Sequence, residues 1–179
     1  MRYFAVLILI LSLVNLQGCS VVSSKIDRRT AGTQVEDEAI ETKSTSRIQE
    51  KYKDTAQVTI TSYNRFVLIT GTVASDEIKA NVERIVYSVP NVKKIADEVS
   101  VGAFPNASSR RTDSNITHDI KSGIGKSKAL QSVTMKVATD RGIVYMLGLA
   151  THAEADAASE IASTTSDVKK VVRVFEYID

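Results

Sequence analysis

The sequence predicts an α+β protein in which two tandem α-β-β-α-β modules follow an N-terminal signal peptide. Three observations lead to this prediction: a repeat with a period of 75 to 77 residues, strand and helix patterns in the same order within each copy, and an apolar N-terminal run that ends at a cysteine. The predicted parts are a signal peptide over residues 1–18, a flexible tether over 19–35, a first module over 36–101, a linker over 102–112 and a second module over 113–179.

The repeat is carried by landmarks that recur in the same order. Each copy opens with a Val-Thr strand start, reaches a glycine after an apolar strand, and closes on a Val-Lys-Lys step. In the first and second copies these landmarks are Val58 and Val133, Gly71 and Gly148, and 92–94 and 168–170. A solenoid needs at least three repeats. Two copies therefore predict a pair of tandem globular modules.

Within each copy, short-range patterns predict a hairpin, a helix and a last strand. In the second copy, Asp140-Arg141-Gly142 is typical of a hairpin turn, and Thr151-His152-Ala153-Glu154 is a capping box that starts a helix. Further helices are predicted over 37–53 and 113–125, ahead of the two hairpins. Gly71 and Gly148 are predicted structural glycines, since a glycine ending a strand permits close backbone approach or positive φ. Each module has a thin core, so we expect the two to dock, for example helix against sheet.

The N-terminal segment is typical of a bacterial lipoprotein signal peptide. The apolar run from Phe4 to Leu16 is shorter than the roughly 18 residues of a membrane-spanning helix; the alternative is an uncleaved membrane anchor. Leu16-Gln17-Gly18-Cys19 resembles a lipobox, which implies cleavage between Gly18 and Cys19 and attachment of a diacylglycerol to the Cys19 thiol. Cys19 is the single cysteine, so no intramolecular disulfide can form and the lipid accounts for it. Ser20, rather than Asp, follows the cysteine, and by the same resemblance this implies the outer membrane.

Composition and histidine placement exclude several function classes. The 23 basic and 21 acidic residues give a net charge of +2, which is too even for nucleic-acid binding through bulk charge. His118 and His152 fall in different modules, and neither belongs to a pattern that would ligate a metal. We therefore predict a protein that is not an enzyme and carries no metal or other cofactor.

Two tandem α-β-β-α-β modules behind a lipobox resemble the BON family, in particular the dual-BON-domain outer-membrane lipoproteins of Gram-negative bacteria. The likeness covers nearly all of the chain after Cys19. It is strongest in the second module, in the run GIVYMLGLATHAEADAASEIAS followed by DVKKVVRVFEYI. The resemblance implies a lipid-anchored protein on the periplasmic side of the outer membrane that binds anionic phospholipid and supports envelope integrity.

The resemblance also implies that the first helix of the second BON domain contacts lipid. Carried over to this chain, the candidate phospholipid-binding residues are Ile116, Ile120, Lys121, Ile124, Lys126 and Lys128. Asn115 stands where we would expect an aromatic able to insert at the interface, and Gly123 and Gly125 weaken the helix end by roughly 0.5–1 kcal/mol each. Binding should then be mainly electrostatic, at about 1 kcal/mol per basic residue. The alternative is that the lysines form an ordinary solvated surface.

A second function class remains open from the sequence. The chain could be an adaptor that docks proteins of an envelope assembly or cell-wall machine without recognising lipid. Its contacts would then be the sheet edges or the linker around Phe104 and Pro105.

Overall fold

The computed structural model describes residues 26–130 and 132–179. The predicted signal peptide and the lipidation site, Gly18 and Cys19, lie outside the described residues. Within the described part, no helix is both long enough and apolar enough to cross a membrane.

Both modules have the predicted order of elements. The first consists of α1 (Ala31–Tyr52), β1 (Ala56–Tyr63), β2 (Phe66–Val73), α2 (Asp76–Tyr87) and β3 (Lys94–Val101). The second consists of α3 (Ala107–Lys126), β4 (Met135–Asp140), β5 (Ile143–Ala150), α4 (His152–Ser163) and β6 (Lys170–Tyr177). The α+β class and the duplicated α-β-β-α-β order are thus confirmed.

The first helix of each module begins earlier than the sequence pattern predicts. α1 starts inside the segment predicted as tether, because the Thr30 side chain accepts from the Thr33 backbone N–H and caps it there. α3 starts inside the predicted linker, since Asn106 caps it in the same way. These first turns are polar and lack the apolar periodicity that marks the rest of each helix. The non-helical stretch between β3 and α3 is consequently short.

The two sheets have the same topology. β1 pairs antiparallel with β2, and β2 pairs parallel with β3, so that the sheet order is β1-β2-β3. β4, β5 and β6 repeat this arrangement. A parallel pair needs a crossover, which α2 and α4 provide. One face of each sheet packs on its own two helices and forms that module's core.

The two predicted structural glycines occupy matching strand positions but differ in geometry. Gly71 has φ +117°, and a Cβ added there would lie 2.1 Å from the Gln57 carbonyl oxygen on β1. At Gly148 an added Cβ would lie 3.2 Å from the Met135 Cβ and 3.5 Å from the Phe175 ring, in a backbone conformation open to other residues. Only glycine fits at the first position, whereas the second is a site of tight packing.

The modules dock sheet against sheet. The face of each sheet that turns away from its helices meets the same face of the other sheet, and together they bury a third apolar cluster around Tyr63, Leu68, Tyr145, Leu147 and Val174. The predicted docking of a helix against the opposite sheet is therefore wrong. The molecule is built in four layers, helices–sheet–sheet–helices, and its centre is the layer that both modules share.

The end of the segment predicted as a flexible tether is bound to the body of the protein. We call residues 26–30 the strap. Ile26 forms a parallel β-bridge with Val133 of the second module, and Arg29 of the strap is bonded to Asp37 of the first module. The tether prediction is wrong for these residues, because a polar, weakly patterned sequence does not reveal specific side-chain pairing.

Candidate functional site

The C-terminal half of α3 places the predicted lipid-binding residues on two different surfaces. Ile116, Ile120 and Ile124 are only 2%, 0% and 3% exposed and belong to the core of the second module. Their spacing forms the stripe with which an amphipathic helix packs on its own sheet. The prediction that these three isoleucines contact lipid is wrong for this conformation, since a single apolar stripe cannot serve the core and a bilayer at once.

The three predicted lysines are exposed around the end of the same helix. Lys121 and Lys126 lie on its last turns, and Lys128 follows the Ser127 cap. The Lys126 charge also lies at the negative end of the helix dipole, which favours a cation there. Solvated lysines in this position are free to meet an anionic surface.

A small apolar crevice opens beside Lys121. Its volume is about 130 Å³, and Ile124, Val133, Met135 and Val137 line it together with Lys121. Val133 is the residue to which Ile26 of the strap is bridged, and Ile26 itself is 64% exposed. The exposed Ile26, the apolar crevice and the Lys121 side chain therefore adjoin around Val133, and Ile26 is the first residue after Cys19 that the structure describes.

The remaining exposed face of α3 is polar. Asn115, at the position where the resemblance led us to expect an aromatic, is exposed, as are His118 and Asp119. No apolar side chain therefore projects from this face of the helix to insert into a membrane.

The two histidines do not converge on a common site. The Nδ1 of His152 lies 2.7 Å from the Asp179 carboxylate, and its ring stacks on Tyr177 with a centroid distance of 4.0 Å. Over the described residues, no group of three or more His, Cys, Asp or Glu side chains is arranged to hold a metal ion.

Asp37 and Asp113 are buried and bind the hairpin turns of their modules. From the sequence they were predicted only as the first residues of helices. Asp113 accepts from the backbone N–H groups of Arg141 and Gly142 at 2.9 and 2.8 Å. Asp37 accepts from the N–H groups of Asn64 and Arg65 at 2.8 and 2.7 Å. Aligning the two copies would have revealed this pair, because the aspartates recur with the same period as the turns.

The backbone conformation at these turns explains why they need a carboxylate. Asn64, Arg65, Arg141 and Gly142 all have positive φ values, between 52° and 80°. Such turns match the twist of a hairpin, but they strain residues other than glycine. The hydrogen bonds to each aspartate offset that strain and fix the hairpin against the first helix of its module.

Gly123 allows α3 to approach α4. A Cβ added at Gly123 would lie 2.7 Å from the Ile161 Cγ2, whereas one added at Gly125 would meet nothing within 4 Å. The first of the two glycines, interpreted from sequence as weakening the helix end, is thus a helix-packing site. It fixes the position of the helix that bears the lysines.

Comparison with known proteins accords with this duplicated architecture. The family model described as "BON domain" matches residues 36–103 and again residues 112–179. The outer membrane lipoprotein DolP of Haemophilus influenzae is 32% identical, over 96% of this chain and 95% of its own length. The 21 kDa hemolysin of Actinobacillus pleuropneumoniae is 30% identical, over 86% of this chain and 80% of its own.

Among solved structures, the C-terminal domain of CdsD, a structural protein of the type III secretion system of Chlamydia trachomatis, aligns with 80% of this chain and 67% of its own. The identity is 11% and the TM-score 0.32, which is too low to support an argument about fold or function. The family assignment depends instead on the two matched segments, which coincide with the two modules, and on the near full-length relatives. The chain therefore belongs to the BON-domain family and carries two copies of the domain.

Proposed function

We propose that this protein is a lipid-anchored component of the outer membrane, on its periplasmic side, that binds anionic phospholipid and supports envelope integrity. The observation that carries the proposal is the coincidence, at one end of the second module, of the exposed lysines, the apolar crevice and the bridge between Ile26 and Val133.

The chemistry of this end suits a phospholipid headgroup better than a buried ligand. Lys121, Lys126 and Lys128 are exposed, so their ammonium groups can meet lipid phosphates without a large desolvation cost. Each basic residue near an anionic membrane contributes about 1 kcal/mol, so the three together contribute about 3 kcal/mol. A surface of this kind binds weakly by itself and depends on a second attachment, for which the Cys19 lipid is the candidate.

Sequence and similarity support the proposed cellular location. The lipobox at Leu16–Cys19 supplies the anchor, and Ser20 in place of Asp favours the outer membrane. A relative described as an outer membrane lipoprotein aligns along 95% of its length.

Flotation with liposomes tests lipid recognition. The soluble form, residues 20–179, is mixed with vesicles of anionic or neutral phospholipid at low and moderate salt. We expect flotation with anionic vesicles only, reduced by salt because the charges are exposed. The variant Lys121→Glu, Lys126→Glu, Lys128→Glu should lose at least the roughly 3 kcal/mol that the lysines contribute, which is about a hundredfold in affinity.

A matched control lies in the first module. Lys43, Lys51 and Lys53 are exposed on and just after the equivalent helix, α1. Reversing these three charges produces the same change in net charge, and it should leave flotation intact. If the soluble form does not float at any salt concentration, or if both triple variants lose binding equally, the lysines of α3 are not a lipid site. Function as a protein adaptor would then be the better explanation.

A further inference from the structure

The strap contacts the second module at two points. The Ile26 backbone N–H donates to the Ser132 carbonyl oxygen at 2.8 Å beside the bridge to Val133. Arg28 donates to both carboxylate oxygens of Glu154, at 2.7 and 2.8 Å, and to the Leu149 carbonyl oxygen at 2.8 Å. A two-pronged arginine–carboxylate pair of this kind fixes orientation as well as distance.

The electrostatics of Glu154 agree with this geometry. The hydrogen bonds from Arg28 hold the pKa of Glu154 at about 2, well below its ordinary value of 4.5. Glu154 also accepts from the Thr151 backbone N–H in the capping box of α4. The strap is thus bonded to Glu154, a residue whose position is already fixed by the capping box of α4.

The strap is also fixed to the first module. The Arg29 guanidinium donates to the buried Asp37 carboxylate at 2.8 Å and to Asp27 at 2.7 and 3.0 Å. The same guanidinium lies 4.0 Å from the centroid of the Tyr63 ring, and the Arg29 side chain is only 8% exposed. Removing one partner of a buried ion pair is strongly destabilising, because it leaves the other charge without compensation. Detachment of Arg29 is therefore costly.

Docking of the strap shortens the distance from the lipid anchor to the folded body. Seven Cα-to-Cα steps separate Cys19 from Ile26, which at about 3.5 Å per residue span at most about 25 Å. A chain that was free up to Glu36, as the tether prediction implied, would span up to about 60 Å. The shorter reach confines the anchored protein to orientations in which Val133 and its crevice remain near the bilayer.

We infer that the strap is an orienting clamp: it joins the two modules and holds the end of α3 that carries Lys121 and Lys126 toward the membrane. This inference rests on the Cys19 lipid anchor of the proposed function, but it does not require recognition of a lipid headgroup. The clamp increases the effective concentration of the crevice and its lysines at the surface, as a short linker does for a second binding site.

The experiment uses the full lipidated chain in neutral bilayers, where headgroup recognition contributes nothing. Once Cys19 is lipidated, a single added cysteine is the only free thiol. It is introduced as Ala129→Cys just after α3, or as Ser108→Cys in its first turn, and labelled with a fluorophore. At 1.5 Å per residue the two ends of α3, a helix of 20 residues, are about 30 Å apart. Quenching by lipids with a nitroxide headgroup then reports which end lies nearer the bilayer.

The expected result is strong quenching of the label at position 129 and weak quenching of the label at position 108. Arg28→Glu places two carboxylates together and detaches the strap from Glu154, so the contrast between the labels should be weakened, while Arg29 still holds the strap to the first module. Glu154→Arg alone should have the same effect, and combining it with Arg28→Glu should restore the ion pair and the contrast, but not the capping box of α4. Circular dichroism verifies that each variant is folded.

Two results would overturn the inference. One is equal quenching at both positions in the unaltered chain, and the other is a contrast that Arg28→Glu leaves undiminished in a folded protein. Failure of lipid recognition would instead appear only in the flotation experiment with anionic vesicles. The two ideas can therefore fail separately.

Discussion

Asp37 and Asp113 occupy matching positions in the two modules, and each carboxylate accepts hydrogen bonds from two consecutive backbone N–H groups of a hairpin turn. Asp37 is additionally bonded to the Ser62 hydroxyl at 2.6 Å and to Arg29 at 2.8 Å. Both domains thus contain the same contact between an aspartate and a hairpin turn. In the first domain the aspartate also binds Ser62 and Arg29 of the strap.

Replacement of these aspartates should destabilise the protein unequally. Asp113→Asn loses one charged acceptor, and we expect the free energy of unfolding to fall by about 1–3 kcal/mol. Asp37→Asn also removes one of the two carboxylates that pair with the buried Arg29, so we expect a larger fall, of about 3 kcal/mol or more. Urea unfolding followed by circular dichroism measures both. Asp119→Asn, at an exposed position on α3, should change stability by no more than about 0.5 kcal/mol. Equal effects at 37 and 113 would contradict the additional role of Asp37.

The two glycines near the end of α3 should respond in opposite directions to alanine. Gly125→Ala adds a methyl group that meets nothing within 4 Å, and we expect a gain of about 0.5–1 kcal/mol in the free energy of unfolding. Gly123→Ala places a methyl group 2.7 Å from Ile161, and overpacking of this kind costs about 1–3 kcal/mol. Thermal unfolding of the two variants side by side checks this. A gain in stability at both positions would show that α3 and α4 have room to move apart.

Gly71 and Gly148 form a second matched pair. Gly71→Ala combines a strained φ of +117° with a clash against the backbone of β1, so we expect a loss of about 3 kcal/mol or more. Gly148→Ala meets only side chains, at 3.2 Å or beyond, and should cost about 1 kcal/mol. The yield of folded protein and the urea midpoint distinguish the two. A milder effect at Gly71 than at Gly148 would contradict the geometry described for β1 and β2.

Alkaline pH should weaken the layer between the sheets. Burial, with a further contribution from the Glu98 charge, raises the pKa of Tyr145 from 10.0 to about 12, and burial raises the pKa of Tyr63 to about 12 as well. The neutral phenols therefore contribute stability that is fully present below pH 10 and is lost as the pH rises through 12.

The measurement is the free energy of unfolding between pH 9 and 12 for the unaltered chain and for Tyr145→Phe. Because phenylalanine does not ionise, the variant should lose less stability over this interval. Tyr87→Phe is the control, since Tyr87 is 72% exposed and lies outside the shared layer. An identical pH dependence for all three proteins would show that ionisation of Tyr145 is not coupled to folding.

Much of the fold was predictable because local signals agree with it. The capping box at Thr151 and Glu154 is present as predicted, and Arg141 and Gly142 form the predicted turn. The docking of the sheets was not predictable in the same way. Leu68 and Tyr145 alternate along their strands with residues of the helix-side cores, so the strands are apolar on both faces. Such a pattern shows that both faces are covered, but it does not show what covers them.

The candidate site was predictable only in part, for a related reason. Hydrophobic periodicity identified the buried face of α3, but Ile120 and its neighbours are used by the core. The exposure of the lysines could be predicted without any knowledge of the packing, because lysine side chains are rarely buried. The strap was missed because the partners that fix it to the two modules are individual residues distant in sequence. Arg28 is bonded to Glu154, more than a hundred positions away, and Arg29 to Asp37 in the next helix, and no periodicity marks such pairs.

The layer between the sheets makes each module the solvent shield of the other. A chain cut at residues 102–106 would leave Leu68 and Tyr63 on one fragment, and Leu147 on the other, facing water as broad apolar surfaces. We expect such fragments to be cleared by envelope proteases as misfolded polypeptide instead of persisting as half-active protein. We therefore expect the two copies to evolve as one unit. Deletion of either copy would expose the apolar face of the other, and the residues of each copy in the shared layer would limit the substitutions accepted by the residues that face them.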